Sequence, residues 1–197
     1  TCALPISQPE AADLLAFACS ILQPEAKVDL APGHALGRKY LAYVSVVEVA
    51  QHASYLGKLQ EAGIPLLAPN PAWNSQCVDV TASSWERFVV EEIARPAVAK
   101  GFDGFFLDTA DSLALLAQAE PAKAKQQVAA VIALVKKLRS SFPGKEIILN
   151  RGFTLLAELR GAVDGVLIES VFQTFNDKGE YGPVAATDHQ ALLQKIA

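Results

Sequence analysis

The sequence has no methionine, three cysteines, three histidines, no run of basic residues and no Gly-rich phosphate loop. Each absence closes a route. Cys2, Cys19 and Cys77 are an odd set without the close pairs of a zinc site or a disulfide framework, which leaves structural, buried or partly buried thiols as the expectation. His34, His52 and His189 lie far apart without metal-ligand spacing, so neither a metal nor another cofactor is expected. A net charge of −4 with no basic run argues against nucleic acid or an anionic membrane surface as partner. No apolar segment approaches the ~20 residues that cross a bilayer. The missing phosphate loop disfavours a dinucleotide or P-loop fold. No lysine stands at a strand end, which disfavours a Schiff-base lyase or aldolase. The chain begins at Thr1 without a methionine, which predicts that a targeting segment or the rest of a larger protein precedes it.

What is present is a chain of 197 residues, 51% hydrophobic, long enough for one domain over 1–197 with a sizeable core. Short buried strands alternate with helices. Strands are predicted over 2–6, 18–22, 40–47, 105–107, 146–149 and 163–168, with a small extra strand over 77–80. Helices are predicted after a Ser7 cap, over 54–62, from a capping box at Ser83 to Glu86 toward Lys100 with a kink at Pro96, over 112–118, from Pro121 to about 141, over 154–160 and over 187–196. In the helix from Pro121, Val128, Val131, Ile132, Val135 and Leu138 form the apolar face, and Lys136, Lys137 and Arg139 form a solvated end.

This alternation implies parallel βαβ units, in either a doubly wound sheet or a (β/α)8 TIM barrel. Polar residues cluster where strands end: Ser7, Gln23 with Glu25, Glu48, Asp108, Asn150 with Arg151, and Glu169. That distribution favours the catalytic face of a barrel. Six main strands are found where a barrel of ~250 residues has eight, so the last two units are expected to be missing from this chain. Two strands share a design, an Asp-Gly turn before an apolar run that ends in an acid, Asp108 in one and Glu169 in the other. One site with two carboxylates, working on carbohydrate, is the reading.

Several stretches, in order, resemble one family. They are Tyr43 to Glu48, Asn70 to Trp73, Val78 to Val80 with Trp85, Gly101 to Asp111, Asn150 to Gly152, and Val163 to Ser170. Together they resemble the endo-α-1,4-polygalactosaminidases, glycoside hydrolase families 114 and 166. The resemblance implies a (β/α)8 barrel, outside the cytoplasm or in the periplasm, that cleaves α-linked galactosamine or N-acetylgalactosamine exopolysaccharide without a metal. It implies Asp108 as nucleophile and Glu169 as acid/base, with Tyr43, Glu48, Asn150 and Arg151 lining the sugar site. Two departures stand out: Val47 replaces the family's glycine, and paired aromatics are absent near Leu4 and Pro5.

Other roles compete with these. Asp108 is alternatively a helix N-cap, although Asp111 is better placed to cap. Glu169 is alternatively a solvated loop residue. Glu48 is equally a hydroxyl-binding group or a partner of Arg151. Trp73 and Tyr181 offer flat faces for sugar stacking, whereas Trp85 is expected in the core. A catalytically silent polysaccharide-binding barrel remains the alternative function.

Overall fold

The computed structural model describes residues 11–175 and 180–196. The strand expected over 2–6 and the Ser7 cap lie outside the described residues. In chain order the elements are α1 (Ala11–Ala16), β1 (Cys19–Leu22), α2 (Ala31–Ala35), β2 (Lys39–Ser45), β3 (Glu48–Ala50), α3 (Leu56–Glu61), β4 (Leu66–Asn70), β5 (Ser75–Val78), α4 (Ser83–Phe88) and α5 (Arg95–Lys100). They continue with β6 (Gly104–Asp108), α6 (Leu113–Ala119), α7 (Ala124–Ser141), β7 (Glu146–Asn150), β8 (Gly165–Leu167), β9 (Gln173–Phe175), β10 (Tyr181–Pro183) and α8 (Ala186–Ile196).

Five strands form one all-parallel sheet in the order β1-β2-β6-β7-β8, which does not close on itself among the described residues. Side chains alternate across it with the strand period of two. Leu22, Ala42, Val44, Phe105, Leu107, Ile147 and Leu149 enter the main core, as do Leu134, Val135 and Leu138 of α7. On the opposite face Ile21, Leu41 and Phe106 form a second cluster with half-buried Cys19, Tyr43, Ile148 and Leu167. The run Phe105 to Leu107 is continuously apolar because both of its faces are covered.

The two Asp-Gly pairs are strand entries rather than turns. Asp103 accepts a hydrogen bond from the Tyr40 amide (2.8 Å) and Asp164 one from the Ile147 amide (2.7 Å), so each carboxylate pins the start of the neighbouring strand. Glycine follows Asp103 because a Cβ on Gly104 would lie 2.0 Å from the Glu146 carbonyl oxygen.

Several boundaries depart from the prediction. β2 ends at Ser45, and Glu48 opens β3 in a separate antiparallel sheet ordered β3-β5-β4. The helical run from Ser83 to Lys100 is unbroken, because a π turn over Val89–Ala94 accommodates the missing amide and the ring of Pro96. Its N-cap is Ala82 rather than Ser83, since Asp79 already turns the chain by bonding the Thr81 amide. On α7, Gln127 and Leu134 are buried while Val128 is exposed. Arg139 is no solvated end: it donates to the Ala162 and Lys145 carbonyls and pairs with Asp164. Residues 154–160 make a 3-10 turn at Phe153–Leu155 instead of an α-helix, and β9 pairs with β10 where a loop was expected.

Candidate active site

Asp108 ends β6 on the same sheet face as Phe106, between Tyr43 on β2 and Asn150 at the end of β7. The Tyr43 hydroxyl donates to Asp108 Oδ2 at 2.7 Å, and Asn150 Nδ2 donates to Oδ1 at 2.9 Å. Burial first, and the Asp108 charge second, push the Tyr43 phenol far above the usual tyrosine range, so it stays a donor. Asn150 Oδ1 is buried without a partner.

Just beyond three of the strand-end polar residues the backbone turns left-handed. Thr109 (φ 68°), Arg151 (φ 55°) and Ser170 (φ 56°) directly follow Asp108, Asn150 and Glu169. They are three of the four non-glycine residues with positive φ among the described residues. Such conformations cost about 1–3 kcal/mol each and persist only where surrounding contacts hold them.

Those contacts come from both sides of the loop after Asp108. On the β2 side, Thr109 Oγ1 accepts from the Val47 amide at 3.0 Å and the Glu48 amide at 3.3 Å. Glu48, only 3% exposed, receives hydrogen bonds from Asn70 Nδ2 (2.9 Å) and from the Ser75 and Ser112 hydroxyls. Its neighbour across the strand pair, Cys77, has its thiol pushed up to about 11 by burial and then by the Glu48 charge. On the β7 side, Asp111 accepts from the Gly152 amide at 3.2 Å and forms an ion pair with Arg151, Nε to Oδ2 2.7 Å. Asp111 therefore ties two strand-end loops together rather than capping α6, whose first turn has no side-chain cap. Arg151 pairs with Asp111 and not with Glu48.

The structure thus joins Tyr43, Asp108 and Asn150 directly. Glu169 follows β8, two strands from Asp108, exposed and without a hydrogen bond or ion pair among the described residues. Trp73 (63% exposed) lies in the turn between β4 and β5, and Tyr181 (73% exposed) on the β9–β10 hairpin, where Phe172 also stands out at 74%. Trp85 is buried, its indole N–H donating to the Val46 carbonyl at 3.0 Å. Sequence reasoning missed Ser45, Thr109, Ser75 and Ser112. Only Thr109 carried a signal, as the hydroxyl residue that directly follows a strand-end acid. A cleft of roughly 520 Å³ between α3 and α4, bridged by Lys58 and Glu92, lies on the helical layer away from these strand ends. Among the described residues no group of three His, Cys, Asp or Glu is arranged to hold a metal ion, and no helix is long and apolar enough to cross a membrane.

The glycoside hydrolase domain of PelA from Pseudomonas aeruginosa is 28% identical, with a TM-score of 0.84 over 97% of this chain and 75% of that one. A variant of that domain, in which a glutamate is replaced by alanine, gives 28% and 0.83 over 95% and 74%. Ega3 of Aspergillus fumigatus, in complex with galactosamine, is similar in fold alone: 13% identity and a TM-score of 0.66 over 82% of this chain and 62% of that one. No curated protein matches the chain in sequence. The architecture is that of a barrel-type α/β glycoside hydrolase whose sheet stays open among the described residues. The model of glycoside hydrolase family GH114 matches residues 16–192, nearly the whole chain, which therefore belongs to that family and is a glycoside hydrolase.

Proposed function

We propose that the chain cleaves an α-1,4-linked galactosamine or N-acetylgalactosamine exopolysaccharide internally, with Asp108 as nucleophile and Glu169 as acid/base in a retaining mechanism. The observation that carries this reading is the Asp108 carboxylate, oriented at a strand end by Tyr43 and Asn150. Next-nearest parallel strands lie ~9.6 Å apart, so side chains reaching toward each other from Asp108 and Glu169 can approach the ~5–5.5 Å of a retaining pair. Glu169, exposed and unpaired among the described residues, is free to meet a glycosidic oxygen. In the first step a carboxylate oxygen of Asp108 bonds to the anomeric carbon as the leaving oxygen takes the Glu169 proton. In the second step Glu169 removes a proton from water, which displaces Asp108.

The other expected residues divide by their contacts. Tyr43 and Asn150 hold the nucleophile, Arg151 works through Asp111, and Glu48 supports the site from beneath. Trp73 and Tyr181 present faces on which a sugar ring stacks. The substrate named in the resemblance, and Ega3 having been seen with galactosamine, support the polymer class. The likeness to the glycoside hydrolase domain of PelA supports the hydrolase reading, and an exopolysaccharide substrate points to action in the periplasm or outside the cell.

The test is reducing-end release from partly de-N-acetylated α-1,4-linked N-acetylgalactosamine polymer by the parent protein and by Asp108→Asn and Glu169→Gln. Loss of release in both variants, with the fold retained, supports the two-carboxylate hydrolase. A folded parent that binds the polymer without cutting it would leave a carbohydrate-binding barrel instead.

A further inference from the structure

Thr109 is an expensive residue to place where it is. Its φ of 68° suits glycine or asparagine, and a β-branched side chain is a true outlier in that region. Something about the side chain must compensate, and the hydroxyl supplies it. Ser45 Oγ donates its proton to the Glu48 carbonyl at 2.7 Å, so in the 2.9 Å contact between Ser45 Oγ and Thr109 Oγ1 the threonine is the donor. Thr109 Oγ1 in turn accepts from the amides of Val47 and Glu48. Its one proton and both lone pairs are then engaged by protein.

The preceding amide completes the pattern. Val46 N–H donates to the Asp108 carbonyl at 3.0 Å. Three successive amides, Val46, Val47 and Glu48, therefore converge on the peptide carbonyl of Asp108 and the hydroxyl of Thr109. The turn out of β2 grips the end of β6 at the residue that carries the carboxylate. Val47 takes part through its backbone amide alone.

We propose that Thr109 is a positioning residue for hydrolysis: its hydroxyl, gripped by the turn Ser45 to Glu48, holds the left-handed elbow that sets the Asp108 carboxylate between Tyr43 and Asn150. This rests on the reading of Asp108 as nucleophile. With its hydrogen-bonding capacity filled, Thr109 does not touch the sugar and acts through Asp108 alone.

The test compares Thr109→Val, Thr109→Ser and Thr109→Gly in the same protein, with kcat and KM on the polymer and thermal melts in parallel. Valine keeps the shape and loses the hydroxyl; serine keeps the hydroxyl; glycine takes the left-handed turn without strain and so folds even where valine does not. Displacement of the nucleophile predicts a kcat loss of about 10²-fold in the valine and glycine variants at nearly constant KM. Serine is expected to restore kcat. In an Asp108→Asn background, Thr109→Val should cost nothing further. Parent-like kcat in either hydroxyl-free variant, beside an inactive Asp108→Asn, would overturn the positioning role and leave Asp108 as nucleophile. Parent-like activity in Asp108→Asn overturns the nucleophile assignment, and the positioning role with it.

Discussion

Replacing Glu48 by alanine separates two uses of a buried carboxylate. The group is 3% exposed and takes hydrogen bonds from Asn70, Ser75 and Ser112, which belong to β4, β5 and the turn after Asp108. Alanine leaves three donors facing a cavity without an acceptor. Unsatisfied buried groups cost about 1–3 kcal/mol each, and three donors, two of them hydroxyls that can turn toward other acceptors, together lose about 3–5 kcal/mol. At about 2–4 °C per kcal/mol for a chain of this size, Glu48→Ala should lower Tm by roughly 6–20 °C. Glu48→Gln keeps one acceptor, and the serine hydroxyls can turn to accept from its amide, so its cost should be about 1–3 kcal/mol. Calorimetry or a denaturant melt on both variants reads these values directly, and polymer KM below the melting range should barely change. A Tm within ~2 °C of the parent for Glu48→Ala, combined with a raised KM, would refute the reasoning and make Glu48 a sugar-binding group.

Other consequences follow from single contacts. Tyr43→Phe removes one of the two donors to Asp108, and a hydrogen bond to a charged group is worth about 1.5–3 kcal/mol, so kcat/KM should fall about 10- to 100-fold in steady-state kinetics. Gly104→Ala drives a methyl against the Glu146 carbonyl and should leave little folded protein by circular dichroism. Gly57→Ala, in α3 with open space around the new methyl, should instead raise stability by about 0.5–1 kcal/mol in urea titration. Burial alone would raise the Asp164 carboxyl, but the Ile147 amide and Arg139 outweigh it and hold the group below the usual aspartate range. A depressed carboxyl contributes stability above its unfolded value and loses it as pH falls through the folded one. Asp164→Asn should therefore melt below the parent at pH 7, and the gap should close as pH drops below about 4.

Much of the candidate site was visible from the order of residues. Asp108, Asn150 and Glu169 each follow a short apolar run, and such runs become strands because alternate side chains need cover on two faces. What surrounds them was not visible. Asp111 stands near the start of a helix and looked like its cap, yet its partner is Arg151, forty residues on and one strand over. Glu48 looked like a strand-end residue, but the chain turns at Val46 and Val47 and carries it into a second sheet, where Asn70 and Ser75 await it. Pro96 looked like a break, and a π turn absorbs it.

The division has a physical cause. Strand and helix positions, the parallel α/β class and the acids at strand ends depend on periodicity and local backbone preference, which neighbours along the chain determine by themselves. The Thr109 elbow, the burial of Glu48 and the Asp111–Arg151 tie depend on which strand ends become neighbours in space. Hydrogen bonds between residues 22 to 65 positions apart leave no period in the sequence. Only the β1-β2-β6-β7-β8 order brings Val47 to Thr109 and Asn150 to Asp108.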